Sequence, residues 1–265
     1  MKVPALVAAA AIVAVAIFIG VRAVDDSGGS EGSPANDGPF AALAALRASV
    51  PFPNVSLSAP AENVPGPSYP IATVREGRSV ELRDSPGGRV VARLGDRTEF
   101  GSIRVFWIER RRGDWFGVPT SQLPDGQLGW IRDDRLALDV SETHFWIVAD
   151  VSEQRLTLFY GNRILDSFTV SVGSPGSPTP LGAYSVTDGL VGKGLGPWYG
   201  CCVLALSGRQ PNLPPGWIGG DRMAIQGTPG TIGGATSHGC LRASDPDMVS
   251  LFARVPLGAP VFIRA

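Results

Sequence analysis

Residues 223–243 read MAIQGTPGTIGGATSHGCLRA, and this stretch decides how the second half of the chain folds. Met223-Ala-Ile225 has the length and apolarity of a short strand. A glycine-rich loop follows, with Gly227, Gly230, Gly233 and Gly234, and it leads into Ser237-His-Gly-Cys-Leu-Arg242. Glycine permits sharp backbone bends, so the N–H groups around Cys240 can converge on one point. Acyl transfer needs such an arrangement: a soft nucleophile beside donors that receive a developing oxyanion. A cysteine also needs help to ionise, since its free pKa is about 8.5, and a neighbouring imidazolium lowers it. His238 stands two positions before Cys240. The plain alternative is a buried cysteine in a tight turn.

Immediately after this loop comes the clearest helix signal in the chain. Ser244 is an N-cap candidate, Asp245 suits the first turn and Pro246 suits the first helical positions. Met248, Leu251, Phe252 and Val255 recur at helical spacing and define one apolar face, and Pro256 ends the run. Upstream, the pattern is that of strands. Phe145-Trp-Ile-Val-Ala149 is a short apolar run, Arg155-Leu-Thr-Leu-Phe-Tyr160 alternates, and Ile164–Val172 reads as one further strand. Tyr184–Val186, Val203–Leu206 and Val261–Ile263 continue the series.

Residues 71–140 also read as short strands with tight turns. Ser79-Val-Glu-Leu-Arg83 alternates, Asp84-Ser-Pro-Gly-Gly88 supplies turn residues, and Arg89–Arg93 follows. Ile103–Ile108 and Asp114–Val118 flank Arg110-Arg-Arg-Gly113, which reads as a solvated hairpin tip. Trp107, Trp115 and Trp130 are expected in a core. The expected fold class is therefore all-β with one C-terminal helix, a small β-barrel followed by a larger β domain.

Composition supports this reading and excludes others. The chain has 34 glycines and 23 prolines among 265 residues, well above the roughly 12% of average usage, which argues against a helical bundle. The net charge is −1, so the basic excess of a nucleic-acid-binding protein is missing and no nucleic-acid partner is expected. Only two histidines are present, His144 and His238, so a histidine-rich metal site is excluded by counting. His144 is expected at the surface, at a strand start.

Val3–Val21 forms a 19-residue uncharged stretch, about 28 Å long as a helix at ~1.5 Å per residue, close to bilayer thickness. Residues 1–24 read as a signal-anchor or a cleaved signal peptide. Both readings put the remainder outside the cytoplasm. Residues 25–68 are rich in Gly, Ser and Pro and read as a flexible linker, with one short helix pattern at Phe40–Val50. Residues 69–141 and 142–265 are the two expected domains. Three cysteines in an exported chain flag a free thiol. A bridge between the adjacent Cys201 and Cys202 demands strained geometry, so both are read as strand residues facing opposite sides. Trp198, Trp217 and the segment Gly192–Gly200 are candidates for a flap over a cleft.

Several pieces, taken in order, resemble the catalytic domain of L,D-transpeptidases, the YkuD-type family. They are Ile147-Val-Ala-Asp150…Gln154-Arg-Leu156, Val172-Gly173…Thr179-Pro-Leu-Gly-Ala-Tyr-Ser-Val186, Ala224-Ile-Gln-Gly-Thr228…Ile232-Gly233, Ser237-His-Gly-Cys-Leu-Arg242 and Gly258-Ala-Pro-Val-Phe-Ile263. The resemblance implies a β-sandwich-like domain with the cysteine at the end of a cleft, acting on peptidoglycan stem peptides without metal or organic cofactor. Cys240 would attack the carbonyl of the third residue of a donor tetrapeptide, release the terminal D-alanine and form a thioester. An amine of a neighbouring stem would then accept the acyl group. The N–H groups of His238, Gly239 and Cys240 would form the oxyanion hole, and Ser237 and Arg242 would contact substrate, with Arg242 orienting the stem or bracing the loop.

The family's general-base histidine is replaced here by Gln226, fourteen positions before Cys240. A neutral amide cannot take the thiol proton, though it can orient a water or hold a substrate carbonyl. His238 is then the nearby titratable base, or loop N–H groups and Arg242 stabilise the thiolate. Hydrolysis as an L,D-carboxypeptidase, and a catalytically impaired wall-binding homologue, are the alternatives. Upstream, Leu82-Arg83…Pro86-Gly87 and Gly126…Gly129-Trp130-Ile131 resemble bacterial SH3-like (SH3b) modules. That resemblance implies either contact with cell-wall polymer or a spacer packed on the next domain.

Overall fold

Short alternating segments become strands wherever one face can be buried. The computed structural model describes residues 64–265. The expected anchor or signal (1–24), nearly all of the linker (25–68) and the Phe40–Val50 helix lie outside the described residues.

The N-terminal part carries β1 (Tyr69–Val74), β2 (Ser79–Arg83), β3 (Val90–Gly95), β4 (Val105–Trp107), β5 (Arg110–Arg112), β6 (Trp115–Pro119), β7 (Leu128–Arg132) and β8 (Leu138–Thr143). They form a three-stranded sheet, β4-β1-β8, and a five-stranded sheet, β3-β2-β7-β6-β5. Ala72, Val74, Leu82, Phe116, Val118, Ile131 and Leu138 fill the core between them. Trp107 and Trp130 are buried as expected from their size and apolarity, whereas Trp115 is half-buried. The arginine run is not a hairpin tip. Arg110–Arg112 is strand β5, paired with β6, and Gly113 and Asp114 make the turn. The reason is stacking: the Arg111 and Arg112 guanidinium groups lie 4.8 and 5.2 Å from the Phe116 and Trp130 ring centres, so this charged strand covers aromatic faces while its heads stay in water.

The second part carries β9 (Phe145–Asp150), β10 (Arg155–Tyr160), β11 (Arg163–Thr169), β12 (Val172–Gly173), β13 (Gly182–Val191), β14 (Cys202–Arg209), β15 (Arg222–Gly227), β16 (Ala235–Ser237), β17 (Leu241–Ala243), helix α1 (Asp245–Arg254) and β18 (Pro260–Arg264). The order β11-β10-β9-β18-β13-β14-β15-β17 makes an eight-stranded mixed sheet, and β12 pairs with β16. Along β10, Leu156 and Leu158 are fully buried while their neighbours face outward, the period of two that the sequence shows. Strand β13 is long because it serves two partners: Gly182–Ser185 pair with β18, and Val186–Val191 pair with β14 across a register shift.

The expected single strand Ile164–Val172 is two. After Thr169 the chain leaves β10, Ser171 bridges Arg242, and Val172–Gly173 run parallel to Ala235–Ser237. This departure carries the edge of the sheet to the Cys240 loop. Helix α1 starts where its cap predicts, with Ser244 Oγ accepting the Asp247 N–H at 3.3 Å. Met248, Leu251 and Phe252 sink into the same core as Leu204, Leu206 and Ile225. That anchors the segment directly after the cysteine loop. The two parts meet through aromatic edges, Trp107 on Phe262 at 5.5 Å and Tyr69 on Trp146 at 6.2 Å.

Candidate active site

Three elements bring the expected residues together. Strands β15 and β17 run parallel with Gln226 opposite Arg242, and Cys240 sits in the turn that feeds β17. Gln226, His238, Cys240 and Arg242 line one cavity of about 490 Å³ with Trp198, Tyr199 and Trp217. Trp198 is 76% exposed at the mouth. The indole of Trp217 lies 4.7 Å from the His238 ring, which is solvent-exposed. The segment containing Trp198 and Tyr199 therefore borders the cavity. Its other side faces a wider groove of about 940 Å³ lined by Tyr199, Cys201, Asp245 and Pro246. His144 is half-buried against Tyr160, with its Nδ1 enclosed and unpaired among the described residues. It does not line this cavity.

The cysteine loop is held by its carbonyls. Ser174 N–H donates to the Ser237 carbonyl at 2.8 Å, Gln210 Nε2 to the His238 carbonyl at 3.2 Å, and Thr179 Oγ1 to the Gly239 carbonyl at 2.9 Å. Ser237 Oγ donates to the Cys240 carbonyl at 2.6 Å. In a planar trans peptide the next residue's N–H points opposite the carbonyl. Fixing the Ser237 and Gly239 carbonyls therefore turns the N–H groups of His238 and Cys240 away from Ser174 and Thr179. Gly239 differs. Its N–H donates to Ser237 Oγ at 3.0 Å, so it is committed inside the loop instead of facing a ligand. Its φ of +112° and a Cβ position 2.0 Å from Gln210 Nε2 leave room for glycine alone.

Ser237 likewise departs from the expected substrate contact. It is 1% exposed and its hydroxyl both donates and accepts within the turn, so it braces the loop. Gln226 is 5% exposed and stands in β15 at the cavity wall. Arg242 is locked through its main chain to Ser171, while its Nε is buried without a partner among the described residues. Such a group retains a hydrogen bond to give. Thr179 and Gln210 join the site as supports of the loop. Thr179 lies in the Thr-Pro-x-Gly segment, a readable signal, whereas Gln210 carries none.

Cys240 is the free thiol of the chain. Its sulfur lies 3.9 Å from the Arg222 carbonyl, and the Ala224 N–H is directed at it. Burial pushes the thiol pKa up, and the Ala224 N–H and the Arg242 charge oppose that rise. Tyr199 is also raised, first by burial and then by Cys240, with Arg242 opposing. These three side chains thus share one electrostatic environment. The other two cysteines correct an expectation: Cys201 and Cys202 are joined in a vicinal disulfide. Strand β14 begins only at Cys202. Cys201 lies before it, with its N–H held by Asp245 Oδ1 at 2.9 Å and its carbonyl by the Gly192 N–H at 2.9 Å, so strand alternation does not separate the two side chains. Among the described residues, no group of three or more His, Cys, Asp or Glu side chains is placed to hold a metal ion.

The comparisons with known proteins fall on the same region. The YkuD family model, L,D-transpeptidase catalytic domain, matches residues 144–263. Two Bacillus subtilis (strain 168) proteins whose names place them with the L,D-transpeptidases are similar to it. YqjB is 29% identical over 129 residues, covering 44% of this chain and 70% of its own length. YkuD is 30% identical over 122 residues, covering 45% of this chain and 66% of its own length. Among solved structures, an L,D-transpeptidase from Mycobacterium smegmatis superposes with a TM-score of 0.39 and 19% identity over 59% of this chain and 80% of that one. Bd1075 from Bdellovibrio bacteriovorus gives 0.38 and 20% over 46% and 48%. Residues 144–263 are thus the part of this chain that is similar to the L,D-transpeptidase catalytic domain of the YkuD family.

Proposed function

We propose that this protein is a peptidoglycan L,D-transpeptidase that cross-links stem peptides through a Cys240 thioester. The observation that carries the reading is the free thiol of Cys240 at a cavity shared with Arg242 and Gln226, inside the matched domain. In the first half-reaction the Cys240 thiolate attacks the carbonyl of the donor's third residue. The resulting oxyanion is received by the His238 and Cys240 N–H groups, a reading supported by the anchored carbonyls of Ser237 and Gly239. The bond to the terminal D-alanine breaks, and its nitrogen leaves with a proton. In the second half-reaction an acceptor amine attacks the thioester, the amide forms, and the sulfur leaves and regains a proton.

Arg242, with its unpaired Nε, offers a charged hydrogen bond to the stem peptide. Gln226 cannot exchange the proton. His238, exposed beside Trp217, is the imidazole at the cavity. On this reading residues 1–24 anchor or export the chain and residues 69–141 act as the SH3-like, wall-contacting module. Fractionation and pull-down on purified wall test these two assignments.

The discriminating experiment incubates the protein with a disaccharide tetrapeptide, with and without an acceptor stem, and identifies products by mass spectrometry. Cross-linked dimer is expected. Tripeptide without dimer assigns L,D-carboxypeptidase activity instead, and unchanged tetrapeptide contradicts both.

A further inference from the structure

Arg222 reaches in two directions from the start of β15. Its main-chain carbonyl faces the Cys240 thiol at 3.9 Å, and two residues further the Ala224 N–H is aimed at the same sulfur. Its side chain is only 13% exposed and is held at every nitrogen. Nε donates to the Leu206 carbonyl at 2.7 Å, Nη2 to Thr187 Oγ1 at 3.4 Å, and Nη1 pairs with Glu99. The Phe100 ring centre lies 5.8 Å from the guanidinium carbon.

Glu99 and Phe100 belong to the N-terminal part, 123 positions away in sequence in the case of Glu99. They sit on a braced turn. Thr98 N–H donates to the Ser102 carbonyl at 2.9 Å, Ser102 N–H to Thr98 Oγ1 at 3.1 Å, and Gly101 N–H to the Thr98 carbonyl at 3.0 Å. The turn is pinned to β13 by the Thr98 hydroxyl, which donates to the buried Asp188. Anchorage matters here because the β14–β15 ladder is irregular: Ala205 pairs with Ala224, then the register shifts before Arg209 meets Arg222. The ladder is thus locally interrupted next to Arg222.

We propose that the Thr98–Phe100 turn is a positioning element of the acyl-transfer site: by holding the Arg222 guanidinium, Glu99 and Phe100 fix the β15 carbonyl and N–H that flank Cys240 sulfur. The proposal rests on reading Cys240 as the nucleophile. It gives the N-terminal part a role in catalysis beyond contact with the wall. The titratable and charged groups facing the thiol are Arg242 on β17 and Tyr199, and the one facing the Arg222–Glu99 pair is Arg104, which itself feels Asp188 and Asp96.

The test measures alkylation of Cys240 by iodoacetamide in the full-length chain as a function of pH, by intact mass. Melting curves check that each variant is folded. Loosening β15 frees both the Arg222 carbonyl, which accepts from the thiol, and the Ala224 N–H, which favours thiolate, so Glu99→Gln is expected to displace the alkylation midpoint and change the rate at neutral pH on the order of threefold. Glu99→Asp, which keeps the charge, is expected to retain most of the wild-type midpoint. Phe100→Ala gives the same readout should Glu99→Gln fail to fold. A wild-type profile in the folded variants, with Cys240 alkylated normally, overturns the positioning role and leaves the nucleophile reading intact. A wild-type Cys240 that resists alkylation at every pH overturns both.

Discussion

At the scale of single residues the chemistry turns on one sulfur and one amide. Burial raises the Cys240 thiol above its ordinary pKa, so the reactive thiolate is a minority at neutral pH and grows as pH rises. The rate of Cys240 modification is therefore expected to climb with pH through the neutral range and to level off above the ordinary cysteine value. Arg242→Gln removes a positive charge that favours thiolate and is expected to move that midpoint further up. A midpoint that is unmoved or lowered contradicts the electrostatic account. On the proposed reading, Gln226 stands where a general base would serve the thiol. A general base typically contributes ~10²–10⁴ in rate, so Gln226→His is expected to accelerate acylation of Cys240 by at least about tenfold. An unchanged rate in a folded variant means that proton removal from the thiol does not limit the reaction. The sequence made both residues visible, because Ser-His-Gly-Cys and Ile-Gln-Gly-Thr are local patterns. It could not show that the Gly239 N–H and the Ser237 hydroxyl satisfy each other, since that depends on the loop's dihedral angles.

At the scale of elements, a short turn is made rigid by bonds from segments distant in sequence. Gly239→Ala is expected to slow Cys240 alkylation by more than tenfold while leaving the rest of the fold in place. The reason is that a Cβ at φ +112° meets Gln210, which is itself tied to the Pro178 carbonyl at 2.9 Å. Retained reactivity argues that the loop's geometry is not needed. The helix behind the loop is simpler. Ser244→Ala removes an N-cap and is expected to cost about 1 kcal/mol in chemical denaturation. A loss near zero means that the cap bond contributes nothing net. The helix, its cap and its buried face were legible from spacing alone, as was the alternation of β10. The arginine strand β5 was not, because its charges suggest a solvated tip and only the Phe116 and Trp130 faces beneath it explain a strand. Nor was the break between β11 and β12, which follows from Ser171 pairing with Arg242 some seventy positions away. The vicinal disulfide escaped for a similar reason. Cys201 is pulled out of β14 by Asp245, a partner 44 positions away.

At the scale of the molecule, two hydrophobic cores are joined by a polar clasp as well as by aromatic edges. Asp188 is fully buried, receives the Thr98 hydroxyl, and leaves Oδ2 unpaired among the described residues. Asp188→Ala leaves the Thr98 hydroxyl without its acceptor. It is expected to destabilise the protein by ~1–3 kcal/mol in urea unfolding, whereas Asp188→Asn, which keeps a carbonyl for Thr98, is expected to cost less. Equal losses contradict a specific bond. The glycine and proline excess now divides between sheet turns and close approaches such as Gly258, where a Cβ would lie 2.6 Å from Val105 of strand β4. All of this geometry converges on the claim that Cys240 is an acylating nucleophile. The direct measurement is the intact mass of the folded protein after exposure to a carbapenem, whose ring carbonyl resembles the acyl donor. One adduct per chain, mapped to Cys240 and missing from Cys240→Ala, is the predicted result. A folded wild-type protein that gains no mass contradicts the account.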